Sequence, residues 1–549
     1  MGATAKLNLS SERFYRAAGF YYERLGGACA LFPALRTYFR EPITLQRAEE
    51  QVKRNLAARD ENFLALIRTR VYDQPSSPYL KLLRIAGCEF SDLQGSVRRH
   101  GLEPTLIKLA REGVYFSPDE FKGKKKVARS GQSFRVSPAD FDRPDAPAGF
   151  VGQSSGTTNR PVNSTISLDW FATTVCARSL FFRAHNLLSS AHAVYDAILP
   201  GMGAINNLVI NAKIGMAADR WFVRKVPSRS RLSSAYHYLT TYEIVLAGKW
   251  FGPGFPKPEF IGDPEIHRVI DWIVKERQSG KTCFITTLPN HAARICRAAT
   301  ELGTSLEGAK FYVGGEPFTE AKEEAIRKTG AGFTSRYSFG GAMSVGYGCA
   351  NPLERDEVHV TQDIFAMISH PDPIAHGAEL IHPLLLTTLH PTAPRLLINV
   401  ASGDYAAMSE RSCGCALEEA GFALHLHRIR SYEKFTSEGM NYFYGDLFEL
   451  MEKTFPSEFG GAIGDYQLIE EEDGNGQTRL TLRVHPDVPS LDEERLLRRL
   501  EQELGKEHWI NQFQTRVWQE AGTLRIKREI PHSSLRGKIL PLHIDRSLK

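Results

Sequence analysis

The chain has 549 residues, 42% of them hydrophobic and 24% charged, with 68 Lys+Arg against 63 Asp+Glu. That length exceeds what one core normally fills, about 250–300 residues, and the average composition excludes a disordered, collagen-like or fibrous chain. A formal charge of +5 gives no sign of nucleic-acid binding, which gathers basic residues on one face.

The N-terminal run MGATAKLNLSSERFYRAAGFYYERLGG has no basic start followed by an apolar stretch, so no secretory signal is read there. The longest apolar candidate, residues 197–218, is interrupted by Pro200 and Lys213. No segment reaches the roughly 20 apolar residues of a bilayer-spanning helix. The eight cysteines are sparse, as expected for reduced thiols, and a cytoplasmic protein is expected. Residues 46–72 repeat Val52, Leu56, Phe63 and Leu66 at near-helical spacing, so the first 75 residues read as helical. Lys122, Lys124, Lys125 and Lys126 read as a solvated turn.

From about 165 to 335, helical patterns alternate with short apolar runs such as AVYDAIL, TCFITTL and GAKFYVGG. This alternation predicts βαβ units and a largely parallel sheet. Residues 370–405 turn β-rich, and beyond residue 431 a helix near Gly445 opens an αββαβ pattern. Two domains are therefore expected, 1–430 and 431–549.

The segment GQSSGTTNRPVNSTISL surrounds Gly156 with Ser154, Ser155, Thr157 and Thr158. Such a turn can aim N–H and hydroxyl groups at phosphate oxygens. It lacks the Gly-Lys-Ser/Thr ending of a Walker A loop, and on these residues alone an ordinary turn is equally open. Further segments follow in a fixed order: VGGEPFTEAKEEAI (313–326), SRYSFGGAMSVGYG (335–348), PRLLINVASGDYAAM (394–408), HRIRSYEKFTSEGMNYF (427–443) and RGKIL (536–540). With SSGTT they make the chain resemble the adenylate-forming (ANL) superfamily, phenylacetate–CoA ligases most of all, over about residues 80–545.

The resemblance implies an α/β fold, with a large multi-sheet N-terminal domain that binds ATP and acid and a small, mobile α+β C-terminal domain. It implies ATP-dependent activation of an aryl or fatty carboxylic acid to acyl-AMP, then transfer to a thiol, coenzyme A first, with a carrier protein, amine or protein residue as the alternative acceptor. Ser154, Ser155, Gly156, Thr157 and Thr158 would grip the phosphates of ATP. Gly315, Glu316 and Pro317 would pack on adenine, with Tyr337 alongside. Asp404 would hold the ribose hydroxyls, Arg430 would contact ribose and phosphates, and Lys538 would be the catalytic lysine. Read without the family, Gly403-Asp404 is a strand-terminal turn and Lys538 a surface lysine.

Three departures stand out. Gly341 falls where the family places a Glu that binds Mg²⁺, the phosphate loop ends Asn159-Arg160-Pro161, and Tyr432 replaces the hinge Asp. The first keeps open a non-catalytic nucleotide-binding homologue.

Cys413-Gly-Cys415, Cys349 and His359 match positions where some phenylacetate–CoA ligase relatives carry a structural metal cluster. Three thiolates and one imidazole suit a closed Zn²⁺ site; ordinary buried thiols are the other reading. The His-x-His pair 425–427 reads as strand surface. Trp221, Phe222, Trp250, Phe251 and Phe255 read as core packing before a substrate channel. No Gly-x-Ser-x-Gly in a convincing strand–turn–helix context and no strand-following Gly-x-Gly-x-x-Gly is found, which argues against a serine hydrolase and a dinucleotide oxidoreductase. A homodimer is compatible with all of this.

Overall fold

The computed structural model describes residues 31–147, 149–153, 163–199, 201–224, 231–315, 318–340, 343–376, 379–432, 449–472, 478–489, 491–504, 524–533, 539 and 542–545. After residue 31 come the helices α1 (Leu45–Ala57), α2 (Arg59–Ile67), α3 (Pro78–Ile85), α4 (Phe90–His100) and α5 (Leu102–Arg111). Thr44 caps α1 by accepting from the Arg47 N–H, which satisfies one of the free donors at a helix start. Val52, Phe63 and Leu66 are buried, as their spacing predicted.

Two hairpins follow, β1 (Val127–Arg129) with β2 (Gln132–Phe134), and β3 (Gly149–Gln153) with β4 (Asn163–Ser167). Next come α6 (Leu168–Ala184), β5 (Ala191–Tyr195), α7 (Met202–Lys213), β6 (Arg220–Arg224), α8 (Arg231–Phe251), β7 (Pro258–Ile261), α9 (His267–Gln278), β8 (Cys283–Thr287), α10 (Pro289–Glu301), β9 (Ala309–Gly314), α11 (Glu320–Arg327) and β10 (Gly332–Phe339). The chain then runs through β11 (Met343–Gly348), β12 (Val358–Val360), β13 (Phe365–Ser369), the hairpin β14 (Ile374–His376) and β15 (Glu379–Ile381), β16 (Pro383–Thr388), β17 (Val400–Glu410) and β18 (Leu424–Ser431).

One twelve-stranded sheet, in the order β13-β16-β17-β18-β12-β11-β10-β9-β8-β5-β6-β7, organises these elements. From β10 to β7 every pair is parallel, and from β13 to β10 every pair is antiparallel. β10 is thus the seam between the two halves. The parallel strands β5 and β8 are buried along their whole length, which is why AHAVY and CFITT read as short unbroken runs. α6 and α7 cover one face and contribute Trp170, Phe181 and Leu208 to a core shared with Phe284 and Tyr312. α9 and α10 cover the other, with Trp272 and Ile295 against Ile285 and Phe311. Each such side chain, fully buried, stabilises by about 1.5–3 kcal/mol.

The C-terminal stretch forms a separate four-stranded sheet, β21-β20-β19-β22, from β19 (Tyr466–Glu472), β20 (Thr478–Val484), β21 (Leu524–Arg528) and β22 (Leu542–Asp545). Leu482 and Val484 pack with Leu496 and Leu500 of α12 (Glu493–Leu504) and with Phe455 in a core of its own. Its predicted opening helix near Gly445 lies outside the described residues; helical backbone is described at Leu450–Thr454 and Phe455–Phe459. This unit meets the large sheet through a buried ion pair: Lys322 of α11 lies 2.8 Å from Glu452, which also accepts from the Thr319 hydroxyl at 2.5 Å. Of the aromatic set, Trp221, Phe222 and Phe255 are core, whereas Trp250 is 64% exposed. Among the described residues, no helix is long and apolar enough to cross a membrane.

Candidate nucleotide site and metal centre

Tyr337 and Asp404 lie on β10 and β17, with β18, β12 and β11 between them in sheet order, yet the Tyr337 hydroxyl donates to Asp404 Oδ2 at 2.9 Å. Between them, β12 is short and pairs with β18 only through Val358 and His359. Both strands are irregular near these residues, β10 between Tyr337 and Ser338 and β17 between Tyr405 and Ala407; such bulges re-aim side chains. Burial first, and then the Asp404 carboxylate, push the Tyr337 phenol well above its ordinary range, so the hydroxyl keeps its proton and acts as a donor.

The Asp404 backbone is fixed from both sides. Its N–H donates to Ser402 Oγ at 3.2 Å. Gly403, at φ 86°, turns its carbonyl toward β18, where it accepts from Ser431 Oγ and from the Tyr432 N–H, each at 3.0 Å. The half-buried carboxylate is thereby held at the mouth of the seam. Arg430, one strand over, extends Nη1 to Asp356 Oδ2 at 3.2 Å, so here it engages an aspartate; the same carboxylate also accepts the N–H groups of Arg428 and Ile429 at 2.8 Å each. Gly315 follows β9 at φ 85°, a conformation that favours glycine.

Several expected site residues fall outside the described residues: Ser154, Ser155, Gly156, Thr157, Thr158, Glu316, Pro317, Gly341 and Lys538. The first five stand between Gln153 and Asn163, which pair at the end of the β3–β4 ladder.

The four metal candidates come together. The ligand atoms of Cys349, His359, Cys413 and Cys415 all lie within 4.8 Å of one another. His359 Nε2 is 3.5 Å from Cys413 Sγ and 3.2 Å from Cys415 Sγ. Its Nδ1 lies 2.7 Å from the Phe422 carbonyl, which fixes that nitrogen as the donor and leaves the Nε2 lone pair facing the sulfurs, the second-shell arrangement of a metal-binding histidine. Gly414, at φ 70°, closes the turn so that both flanking thiols point inward, and Glu418 accepts the N–H groups of Cys413 and Gly414 at 2.6 Å. A hydrogen bond from Cys349, then contact with His359, holds the Cys415 thiol far below its ordinary range. Three sulfurs and one imidazole nitrogen in this volume fit a tetrahedral Zn²⁺.

A shell that the sequence did not signal supports this cluster. His425 is fully buried, not on the strand surface as its alternating stretch suggested. Its Nδ1 lies 2.6 Å from Glu357, which also pairs with Arg411 at 2.7 Å, and its ring centroid is 4.0 Å from that of His359. The isolated His-x-His pattern carried no trace of this, because Glu357 and Arg411 reach it from distant strand ends.

No protein-family model and no curated protein sequence matches the chain. Solved structures similar to it include a 2-hydroxyisobutyryl-CoA ligase in complex with 2-HIB-AMP and CoA, at 13% identity over 92% of this chain and 91% of that one, TM-score 0.42. ATP-bound MatB from Rhodopseudomonas palustris matches at 13% identity over 88% and 91%, TM-score 0.40. The o-succinylbenzoate CoA synthetase MenE from Bacillus subtilis, in complex with the acyl-adenylate intermediate OSB-AMP, matches at 10% identity over 75% and 71%, TM-score 0.37.

Proposed function

We propose that this chain is an adenylate-forming ligase: it activates a carboxylic acid with ATP to an acyl adenylate and passes the acyl group to a thiol, coenzyme A foremost. The observation that carries the reading is the Tyr337–Asp404 pair at the mouth of the sheet seam. A fixed carboxylate with a phenol beside it can accept two ribose hydroxyls while keeping its orientation.

In the first step a carboxylate oxygen of the acid attacks the α-phosphorus of ATP and pyrophosphate leaves. In the second, a thiolate attacks the acyl carbon and AMP leaves. The protein's part is positioning and charge stabilisation. Asp404 and Tyr337 hold the ribose, and Gly315, Glu316 and Pro317 flank the base. Ser154, Ser155, Gly156, Thr157 and Thr158 hold the phosphates. Arg430, once released from Asp356, adds positive charge, and Lys538 binds the reacting carboxylate. The unit built on β19–β22 is the mobile C-terminal domain. Cys349, His359, Cys413 and Cys415 hold a structural zinc ion that pins the end of β11 to the turn after β17; it takes no part in the reaction.

The test is ATP–pyrophosphate exchange with a panel of aryl and fatty acids. Acid-dependent exchange that is lost in Lys538→Ala is the expected result, and exchange unchanged by that substitution refutes the assignment. Thioester formation on adding coenzyme A separates this reading from transfer to a carrier protein or amine.

A further inference from the structure

Asn290 stands in the first turn of α10, three residues past Thr287 at the carboxyl end of β8. It is buried, and its Nδ2 donates to the Ile539 carbonyl at 2.7 Å. Ile539 belongs to the C-terminal unit, where it forms an antiparallel bridge with Ser533. Gly464, in the loop before β19, closes over both partners. A Cβ there would lie 3.2 Å from Arg294 Nη2 of α10 and 3.5 Å from Ile539 Cδ1. Ile539 is itself only 4% exposed. The donor thus comes from a helix of the large sheet and the acceptor from the small unit, and both residues are sealed.

Asn290, Arg294 and Arg297 recur at helical spacing and so share one side of α10. Arg297 Nη1 lies 3.6 Å from Asp465 Oδ2, beside Gly464. That pair is half exposed on its arginine side and contributes little. The Asn290 bond differs, because losing it strands a buried carbonyl without a donor. Its place in the sheet gives it a role. Thr287 pairs with Val313, and Val313 with Ser335. The end of β8 and Tyr337, two residues past Ser335, therefore stand at the same end of the sheet, two strand spacings or about 10 Å apart. That end carries the carboxyl termini of the parallel strands, where open α/β sheets bind ligands. One peptide bond joins Ile539 to Lys538, which places their Cα atoms about 3.8 Å apart.

We propose that Asn290 is a positioning residue for acid activation: by holding the Ile539 carbonyl it keeps the adjoining Lys538 at the carboxyl end of the parallel strands, beside the Tyr337–Asp404 pair. Asn290 touches neither nucleotide nor acid in this role and acts through the lysine alone. The proposal rests on the adenylate-forming reading, in which Lys538 serves the first step and not the transfer to the thiol.

The experiment uses the full chain and the acid of the aryl and fatty panel that best supports ATP–pyrophosphate exchange. Asn290→Ala is expected to lower the kcat of exchange about tenfold, for one lost hydrogen bond to a buried carbonyl. The KM for ATP is expected to stay within about twofold, because Asp404 and Tyr337 still hold the ribose. Thioester formation from supplied acyl adenylate and coenzyme A is expected to stay within about twofold as well. Should the Ala variant fail to fold, Asn290→Asp keeps the side chain's size and suits the first turn of a helix. It replaces the donor by a carboxylate that repels the Ile539 carbonyl, and the same loss of kcat is expected. Arg297→Ala, on the same side of α10, is expected to leave exchange unchanged. An exchange kcat near wild type in the Asn290 variant overturns the proposal and leaves the adenylation reading standing. So does a loss shared equally by the KM for ATP or by thioester formation, or an equal loss in Arg297→Ala, since each marks a general disturbance of the fold. Absence of acid-dependent exchange in wild type overturns the adenylation reading and this proposal with it.

Discussion

The Tyr337 hydroxyl and the Asp404 carboxylate, 67 positions apart in the chain and with three strands between theirs in the sheet, meet at 2.9 Å. Neither residue leaves the strand it belongs to.

Under the proposed function, this pair sets nucleotide affinity. A hydrogen bond to a charged group contributes about 1.5–3 kcal/mol, so Asp404→Ala, which removes two, is expected to weaken ATP use at least 100-fold. Tyr337→Phe removes one orienting contact and is expected to cost severalfold. Both are read as the ATP dependence of pyrophosphate exchange. Equal effects of the two substitutions would contradict the assigned division of labour.

Metal analysis of the purified protein is expected to give one zinc per chain. Cys415→Ser and His359→Ala are expected to lose the metal and to lower the melting temperature, and a strong chelator is expected to do the same to wild type. Zinc well below one per chain, unchanged by Cys413→Ser, refutes the metal centre.

The buried Lys322–Glu452 pair yields a stability prediction independent of function. Removing one partner leaves the other charge unpaired, which costs about 3–5 kcal/mol. Glu452→Leu alone is therefore expected to destabilise strongly, and Lys322→Met with Glu452→Leu to recover most of the loss. A double-mutant cycle in denaturant measures the coupling.

Asp363 makes stability fall as pH rises. Burial pushes its pKa from 3.8 up to about 7, against a long contact with Asn55 at 3.5 Å, backbone N–H groups and the Arg59 charge. Between about pH 4 and pH 7 the folded chain thus binds a proton that the unfolded chain has released. The contribution is stabilising at low pH and is lost as pH rises through that window, at up to about 1.4 kcal/mol per unit. Asp363→Asn is expected to flatten this slope and to gain stability relative to wild type above pH 7, as read from melting temperatures across the range. A slope unchanged by the substitution would show that Asp363 is not its source.

The parallel half of the sheet was legible because β5, β8 and β9 are buried on both faces and leave short apolar runs, while α9 and α10 between them keep a polar side. The cysteine cluster was legible from Cys413-Gly-Cys415, since two thiols so close suit one ion. His425 was misjudged because alternation alone does not reveal which face of a sheet is covered. The Tyr337–Asp404 contact could not be read at all, for it joins residues 67 positions apart on strands that do not pair.

Under the proposed function the β19–β22 unit moves, and the Lys322–Glu452 pair bears on how. Both charges are sealed from water at the seat of that unit on α11, so a small displacement hydrates neither and strains both. Any larger swing must wet the two together. Under the proposed function, in which this unit moves, leaving that seat is therefore a threshold event.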